Sequence, residues 1–160
     1  MGLLSRHKKE KLKAEEYYKS IVRPYCPYFS KEIVFNSDGF HHLQFSSGSE
    51  REKQSQLHKF NLLPYVVEIL KKSGTVQEYR KQWGKVGRKK TDGSEEMKEM
   101  EYWGFVAIVD NHIKTELPEK IKVILRRVGN GNIIFWSVMR DVRLNTNTRF
   151  NLATDEIAET

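Results

Sequence analysis

Two apolar runs near the carboxyl end of the chain, separated by four turn residues, constrain the fold most. Residues 121–128 and 133–139 each have the length of a strand and its enrichment in β-branched and aromatic residues. Gly and Asn alternate between them, from Gly129 to Asn132, and both residue types tolerate the positive φ that tight hairpin turns require. The sequence therefore predicts a β-hairpin.

The predicted pairing of this hairpin divides its side chains between two faces. With Asn130 and Gly131 at the tip, Arg126 lies opposite Phe135 and Ile124 lies opposite Ser137, and alternate residues share a face. One face combines cations, a hydroxyl and an aromatic ring, and is a candidate working surface: Lys122, Arg126, Phe135 and Ser137. The other face is apolar and is expected to be the core face: Val123, Leu125, Ile134, Trp136 and Val138.

The rest of the chain places helices before strands. Apolar residues recur at helical spacing in residues 6–23, 50–60 and 63–72, whereas residues 32–35, 75–83 and 100–110 have strand character. This order is typical of an α+β domain, with N-terminal helices packed on a twisted antiparallel sheet of about four strands. Residues 84–98 are rich in Gly and charge and predict a mobile loop.

Length and composition limit the class of protein. The 160 residues predict a single domain over 1–145 that begins with a basic helix, followed by a polar tail over 146–160. Lys and Arg number 28 against 21 Asp and Glu, so the net charge of +7 favours a polyanionic partner. A single Cys, the lack of a long apolar run and the lack of a signal peptide lead us to expect a cytoplasmic protein without membrane contact.

Two adjacent histidines are the first candidates for proton transfer. His41 and His42 follow an N-cap candidate at Asn36 or Ser37, and neighbours on a helix point about 100° apart, so one of them can face a site. Imidazole titrates near neutrality and serves as a general acid or base. The alternative is a surface or core histidine. His58, on a later helix, is expected to have a structural role or to lie at the rim of a site, and His112 lies in a turn.

The arginines and the serine of the hairpin are candidates for phosphate contact. The guanidinium of Arg126 can stabilise a developing negative charge, or it can stack on Phe135 instead. Arg127 points to the opposite face. Ser137 lies in the middle of a strand, where its hydroxyl can bind a phosphate oxygen or simply face water.

Other site types find no support in the sequence. A nucleophile elbow, a Walker phosphate loop and metal-ligand spacing are absent, and no cofactor is expected. Histidine, arginine and serine in a basic domain suit RNA cleavage without a metal, because the attacking 2′-OH belongs to the substrate and no activated protein nucleophile is needed. The sequence therefore points to phosphodiester chemistry on RNA.

Several motifs taken together resemble a known family. In chain order, the relevant segments are Phe40-His-His-Leu43, Lys59 to Pro64, Lys72 to Tyr79, Tyr102 to Ala107 and Val123 to Met139. They resemble the phage- and mobile-element-associated nucleases of the barnase–EndoU–RelE-like group over roughly residues 30–140. The resemblance implies helices on a four-stranded antiparallel sheet, and a metal-independent endoribonuclease of toxin or effector type with an immunity or antitoxin protein as a partner.

The resemblance also implies roles for particular residues. His42, with His41 beside it, falls on the catalytic base, Arg126 or Arg127 on the basic residue of the penultimate strand, and Ser137 on the last-strand hydroxyl. The general acid stays open among three residues: His58, His112 and Tyr102. The remaining expected substrate contacts are Lys122, Phe135 and Trp136. Two alternatives remain, a non-catalytic nucleic-acid-binding module and a regulatory protein-interaction domain of phage or mobile-element origin.

Overall fold

The computed structural model describes residues 2–87, 90–109 and 119–141. It confirms the predicted α+β class, with helices followed by a four-stranded antiparallel sheet. The helices are α1 (Leu3–Ser20), α2 (Ser37–Gln44), α3 (Lys53–Leu62) and α4 (Val66–Lys72), with a 3₁₀ turn at Leu63–Tyr65. Two short ladders pair β1 (Tyr25–Cys26) with β2 (Lys31–Glu32), and β3 (Phe45–Ser46) with β4 (Ser49–Glu50). The sheet strands are neighbours in chain order: β5 (Glu78–Val86), β6 (Glu96–Val109), β7 (Glu119–Val128) and β8 (Ile134–Arg140).

The helices cover one face of the sheet and form the main core with it. The sheet contributes large apolar side chains to this core, including Phe105 and Leu125, and the helices contribute Leu43 and Phe60. Burial of one such side chain stabilises the fold by about 1.5–3 kcal/mol. None of the helices in the described ranges combines the length and apolar content needed to cross a membrane.

Helix α2 approaches strand β8 unusually closely because of a glycine. A Cβ on Gly39 would overlap the carbonyl oxygen of Phe135 and would lie 2.7 Å from the Tyr18 hydroxyl oxygen. The Asn36 side chain caps α2 by accepting from the Gly39 N–H at 3.2 Å, and Tyr18 donates to the Asn36 carbonyl oxygen at 2.6 Å. Gly39 and this cap therefore fix α2 against the edge of the sheet.

The register of the β7–β8 hairpin differs from the predicted one by a single residue. Ile124 pairs with Ser137 as expected, but Leu125 pairs with Phe135 and Arg126 with Ile134. The predicted pairing of Arg126 with Phe135 is wrong because a β-bulge between Ile124 and Leu125 adds one residue to β8.

The bulge also exchanges the expected faces of two aromatic residues. Phe135 joins the helix-covered core, where its ring stacks on Phe35 at 5.1 Å. Trp136 lies on the opposite face, in a smaller cluster with Tyr102 and Ile124. The sequence assigned Phe135 to the Arg126 face and Trp136 to the core, so both assignments are wrong, since alternation cannot anticipate an inserted residue.

The loop predicted over residues 84–98 is shorter than expected. Strand β5 continues to Val86 and β6 already begins at Glu96, so both ends of that segment belong to one long hairpin. Gly84 fits inside the ladder because the side chain of Met100 fills the space beside it, with Sδ 2.5 Å from where a Cβ would lie. His112 and the predicted tail 146–160 lie outside the described residues.

Candidate functional site

Helix α2 presents His42, not His41, to the sheet. The His42 imidazole is 5% exposed and stacks on the Trp136 indole at a centroid distance of 4.2 Å, and its Nδ1 lies 3.2 Å from the Trp136 carbonyl oxygen. Because a carbonyl oxygen only accepts, Nδ1 carries the proton and Nε2 is an acceptor. His41 is exposed and stacks on Phe45.

The surroundings of His42 keep its ring neutral. Burial, together with the charges of Arg51, Lys59 and Arg126, lowers the pKa of His42 to about 3, against the opposing effect of the hydrogen bond to the Trp136 carbonyl. Arg51 donates from Nε to the His42 carbonyl oxygen at 3.0 Å, and its Nη2 lies 3.4 Å from His42 Nε2. The neutral imidazole therefore positions the Arg51 guanidinium, and it is a weak base at neutral pH.

Arg126 is held by aromatic rings. Its Cζ lies 4.1 Å from the Trp136 ring centroid and 5.7 Å from that of Tyr102, and its Nη2 is 3.4 Å from Met100 Sδ. The buried Nε of Arg126 and Nε1 of Trp136 have no hydrogen-bond partner among the described residues. The stacking alternative foreseen for Arg126 is thus realised, with Trp136 and Tyr102 in place of Phe135.

Arg127 lies on the other side of the sheet, away from His42. Its Nε donates to Glu101 Oε1 at 3.0 Å, and its Cζ lies 5.6 Å from the Trp103 ring centroid. Tyr102, on the Arg126 side, is fully buried with its hydroxyl 3.6 Å from Met100 Sδ. Neither Arg127 nor Tyr102 lines the cleft described below.

Ser137 and Lys59 form a buried pair at the β8 edge. Lys59 Nζ donates to Ser137 Oγ at 3.2 Å and to the Val138 carbonyl oxygen at 3.1 Å. Ser137 is 0% exposed and Lys59 is 7% exposed. In this conformation Ser137 is out of reach of a substrate, and its hydroxyl orients the Lys59 ammonium instead.

The exposed side of this pair opens into a cleft of about 600 Å³ between α3 and the β7–β8 strands. Five cationic residues line the cleft: Arg6, Arg51, Lys59, Lys122 and Arg140. Two carboxylates, Glu52 and Asp141, face them, so the lining carries a formal net charge of 5 − 2 = +3. Such a cleft concentrates anions, because its low-dielectric walls focus the positive field.

Lys122 is the most deeply buried of these cations, at 2% exposure, with its Nζ 3.3 Å from Glu78 Oε2. His58 also lines the cleft and is half-buried. Of the residues that the sequence proposed, His58 and Lys122 therefore reach the cleft. His42 and Ser137 lie behind it and hold Arg51 and Lys59.

Sequence reasoning missed three of the cleft cations: Arg51, Lys59 and Arg140. Lys59 could have been recognised, because it stands among the residues that form the buried side of α3, between Gln56 and Phe60. A lysine is seldom buried without a partner. Arg51 and Arg140 look like ordinary solvated charges in the sequence, since only the packing of α3 beside β8 brings them into one cleft.

Comparisons of the chain with family models, with curated proteins and with solved structures gave no significant match. Within the described ranges, no three His, Cys, Asp or Glu side chains are grouped so that they could hold a metal ion. The functional assignment therefore depends on the geometry and charge of the cleft.

Proposed function

We propose that this protein binds RNA through the cationic cleft between α3 and the β7–β8 strands. The observation that carries the proposal is that two buried lysines, Lys59 and Lys122, converge with arginines on a cleft whose lining has a net charge of +3. Because the cations of this lining outnumber its carboxylates, the negatively charged phosphates of a nucleic-acid strand are attracted to the cleft.

The cleft has the size of an ordinary ligand pocket, which suits a short single-stranded segment with one or two phosphates inside. A hydrogen bond to a charged group contributes about 1.5–3 kcal/mol, so a few such contacts are sufficient for specific binding. We propose RNA rather than another polyanion as the ligand because the sequence resembles endoribonucleases.

Titration of a labelled single-stranded RNA with the protein, in EDTA and at increasing salt, tests this proposal. The net positive charge of the lining predicts that log K falls as log salt rises, with a slope of about −0.7 for each phosphate that the cleft contacts on a single strand. A DNA strand of the same sequence and inorganic polyphosphate serve as comparison ligands. Absence of RNA binding at low salt, or binding without salt dependence, contradicts the proposal.

Cleavage of the bound RNA is the second candidate function, and the position of His58 favours it. His58 lines the same cleft as the cations, whereas His42 is buried with its Nε2 next to Arg51. In this scheme His58 accepts the 2′-OH proton while the 2′ oxygen attacks phosphorus. The bond from phosphorus to the 5′ oxygen breaks, and that oxygen takes a proton from solvent water, while protonated His58 returns its proton to the hydroxide formed. Lys59 and Arg51 stabilise the charged phosphorane.

Incubation with labelled RNA in EDTA separates the two functions. If the protein cleaves RNA in this way, the fragments end in a 2′,3′-cyclic phosphate, and RNA with 2′-O-methyl groups is not cut. The His58→Gln variant should bind RNA but should not cut it. Binding without fragments in every condition leaves the first function and removes the second. Cleavage that survives His58→Gln but not His42→Gln would restore the role first predicted for His42.

A further inference from the structure

Strand β5 leaves one edge of the sheet unpaired among the described residues. It pairs with β6 along its whole length, and no other strand of the described ranges pairs with its second side. Aromatic and cationic side chains alternate along one face of this strand: Tyr79, Lys81, Trp83 and Lys85. Trp83 is 67% exposed, and Tyr79 and the neighbouring Met97 are about half exposed. A contiguous exposed patch of this kind marks an interaction surface.

The charge of this patch argues against a nucleic-acid ligand. Lys81 Nζ lies 3.0 Å from Glu99 Oε1, and Lys85 Nζ lies 3.0 Å from Glu95 Oε2. The next cation on this face, Arg127, pairs with Glu101, which also accepts from the Tyr79 hydroxyl at 2.7 Å. Three cations thus match three carboxylates. A phosphate backbone therefore gains little net attraction here, and a protein partner fits the patch better.

We propose that β5 pairs in antiparallel fashion with β5 of a second copy of this chain, across a two-fold axis at Gln82. In this register Trp83 lies opposite Lys81 of the second copy, and Tyr79 lies opposite Lys85 of the second copy. The aromatic and cationic positions alternate along the strand, so the same contacts arise on both sides of the axis. The surface is therefore self-complementary, as a two-fold interface requires.

Each element of this interface has a physical basis. Pairing satisfies the backbone groups on the open side of β5 and buries Trp83. Lysines on an edge strand usually oppose pairing, but here Glu99 and Glu95 of the same chain neutralise them and lower the repulsion between copies. An ammonium against an aromatic face adds a favourable cation–π contact at each cross-strand pair.

Sedimentation equilibrium of the full chain over a wide range of protein concentration tests the association. We expect the mass to rise from that of one 18.9 kDa chain towards twice that value. The Trp83→Ser variant should stay at the mass of one chain over the same range. Because β8 lies at the opposite edge of the sheet, Trp83→Ser should bind RNA as the unchanged protein does, so failure of the dimer and failure of RNA binding are distinguishable.

A cysteine scan tests the register. Gln82→Cys places two thiols next to each other across the axis, within the range of Cβ separation that a disulfide accepts after small adjustment, so oxidation should yield a covalent dimer. Lys85→Cys is the matched control, because its two copies lie six positions apart in the paired strands and should not cross-link. The native Cys26 is buried and common to both variants.

Three results would overturn the proposal. The first is a single-chain mass at all concentrations. The second is a dimer that survives Trp83→Ser and does not cross-link through Gln82→Cys, which assigns association to another surface. The third is a loss of RNA affinity in Trp83→Ser together with a single-chain mass of the unchanged protein, which makes the patch a platform for stacked bases.

Discussion

The two edges of the sheet differ in how they treat positive charge. At the β8 edge, Lys59 donates to the Ser137 hydroxyl and the Val138 carbonyl oxygen, and Arg51 donates to the His42 carbonyl oxygen. Both line a cleft with more cations than carboxylates. At the β5 edge, each of Lys81 and Lys85 has a carboxylate at 3.0 Å. The comparison teaches that one sheet can gather an excess of cations at one edge and match its cations with carboxylates at the other. The two edges are therefore suited to different partners.

The largest expected effect on the free energy of unfolding concerns the close approach of α2 to β8 at Gly39. Gly39→Ala should lower the free energy of unfolding by about 3 kcal/mol, because the new methyl group meets the Phe135 backbone and α2 must move. Gly84→Ala, the matched change at the β5 edge, should cost about 1 kcal/mol, since it displaces only the flexible Met100 side chain. Urea denaturation of both variants measures the difference. Equal losses of unfolding free energy in the two variants would mean that the packing of α2 on β8 does not require the close approach at Gly39.

The next effect concerns the neutral imidazole that positions Arg51. The folded pKa of His42 lies near 3 and its ordinary value is 6.5, so below pH 6.5 the unfolded chain binds a proton that the folded chain does not. The stabilisation from neutral His42 is therefore complete above pH 6.5 and is lost as the pH falls towards 3. At pH 5 the loss amounts to about 2 kcal/mol from this group alone.

Equilibrium unfolding at pH 7 and pH 5 tests the state of His42. The free energy of unfolding that is lost between pH 7 and pH 5 should be about 2 kcal/mol smaller in His42→Gln, because Gln does not titrate. His41→Gln changes an exposed ring and should lose as much as the unchanged protein does. An identical pH dependence in His42→Gln and the unchanged protein would show that His42 is not held neutral.

A smaller effect separates the two adjacent arginines of β7. Arg126→Lys should lower the free energy of unfolding by about 1 kcal/mol, because it loses the stacking on Trp136 and Tyr102. Arg127→Lys keeps an ion pair with Glu101 on a partly exposed face and should change stability by less than about 0.5 kcal/mol. The reverse order of effects would mean that the ion pair between Arg127 and Glu101 contributes more to stability than the stacking of Arg126 on Trp136 and Tyr102.

The sequence predicted those features that depend on local patterns. The Gly-Asn turn and the apolar strands determine the hairpin, and the Asn36 cap determines where α2 begins. The bulge in β8 escaped prediction because it depends on how Trp136 and Phe135 pack on opposite faces of the sheet. The cleft escaped for the same kind of reason, since Arg6, Arg51 and Arg140 come from distant segments that only tertiary packing brings together.

The most direct test of the cleft is a pair of matched substitutions, one at each edge. Lys59→Met and Lys81→Met both remove one ammonium and keep most of the side-chain stem. RNA affinity should fall at least about tenfold in Lys59→Met, which loses a charge-assisted contact worth about 1.5–3 kcal/mol, and should stay within about twofold in Lys81→Met. Equal losses in the two variants, or no loss in Lys59→Met, would contradict the assignment of RNA binding to the cleft.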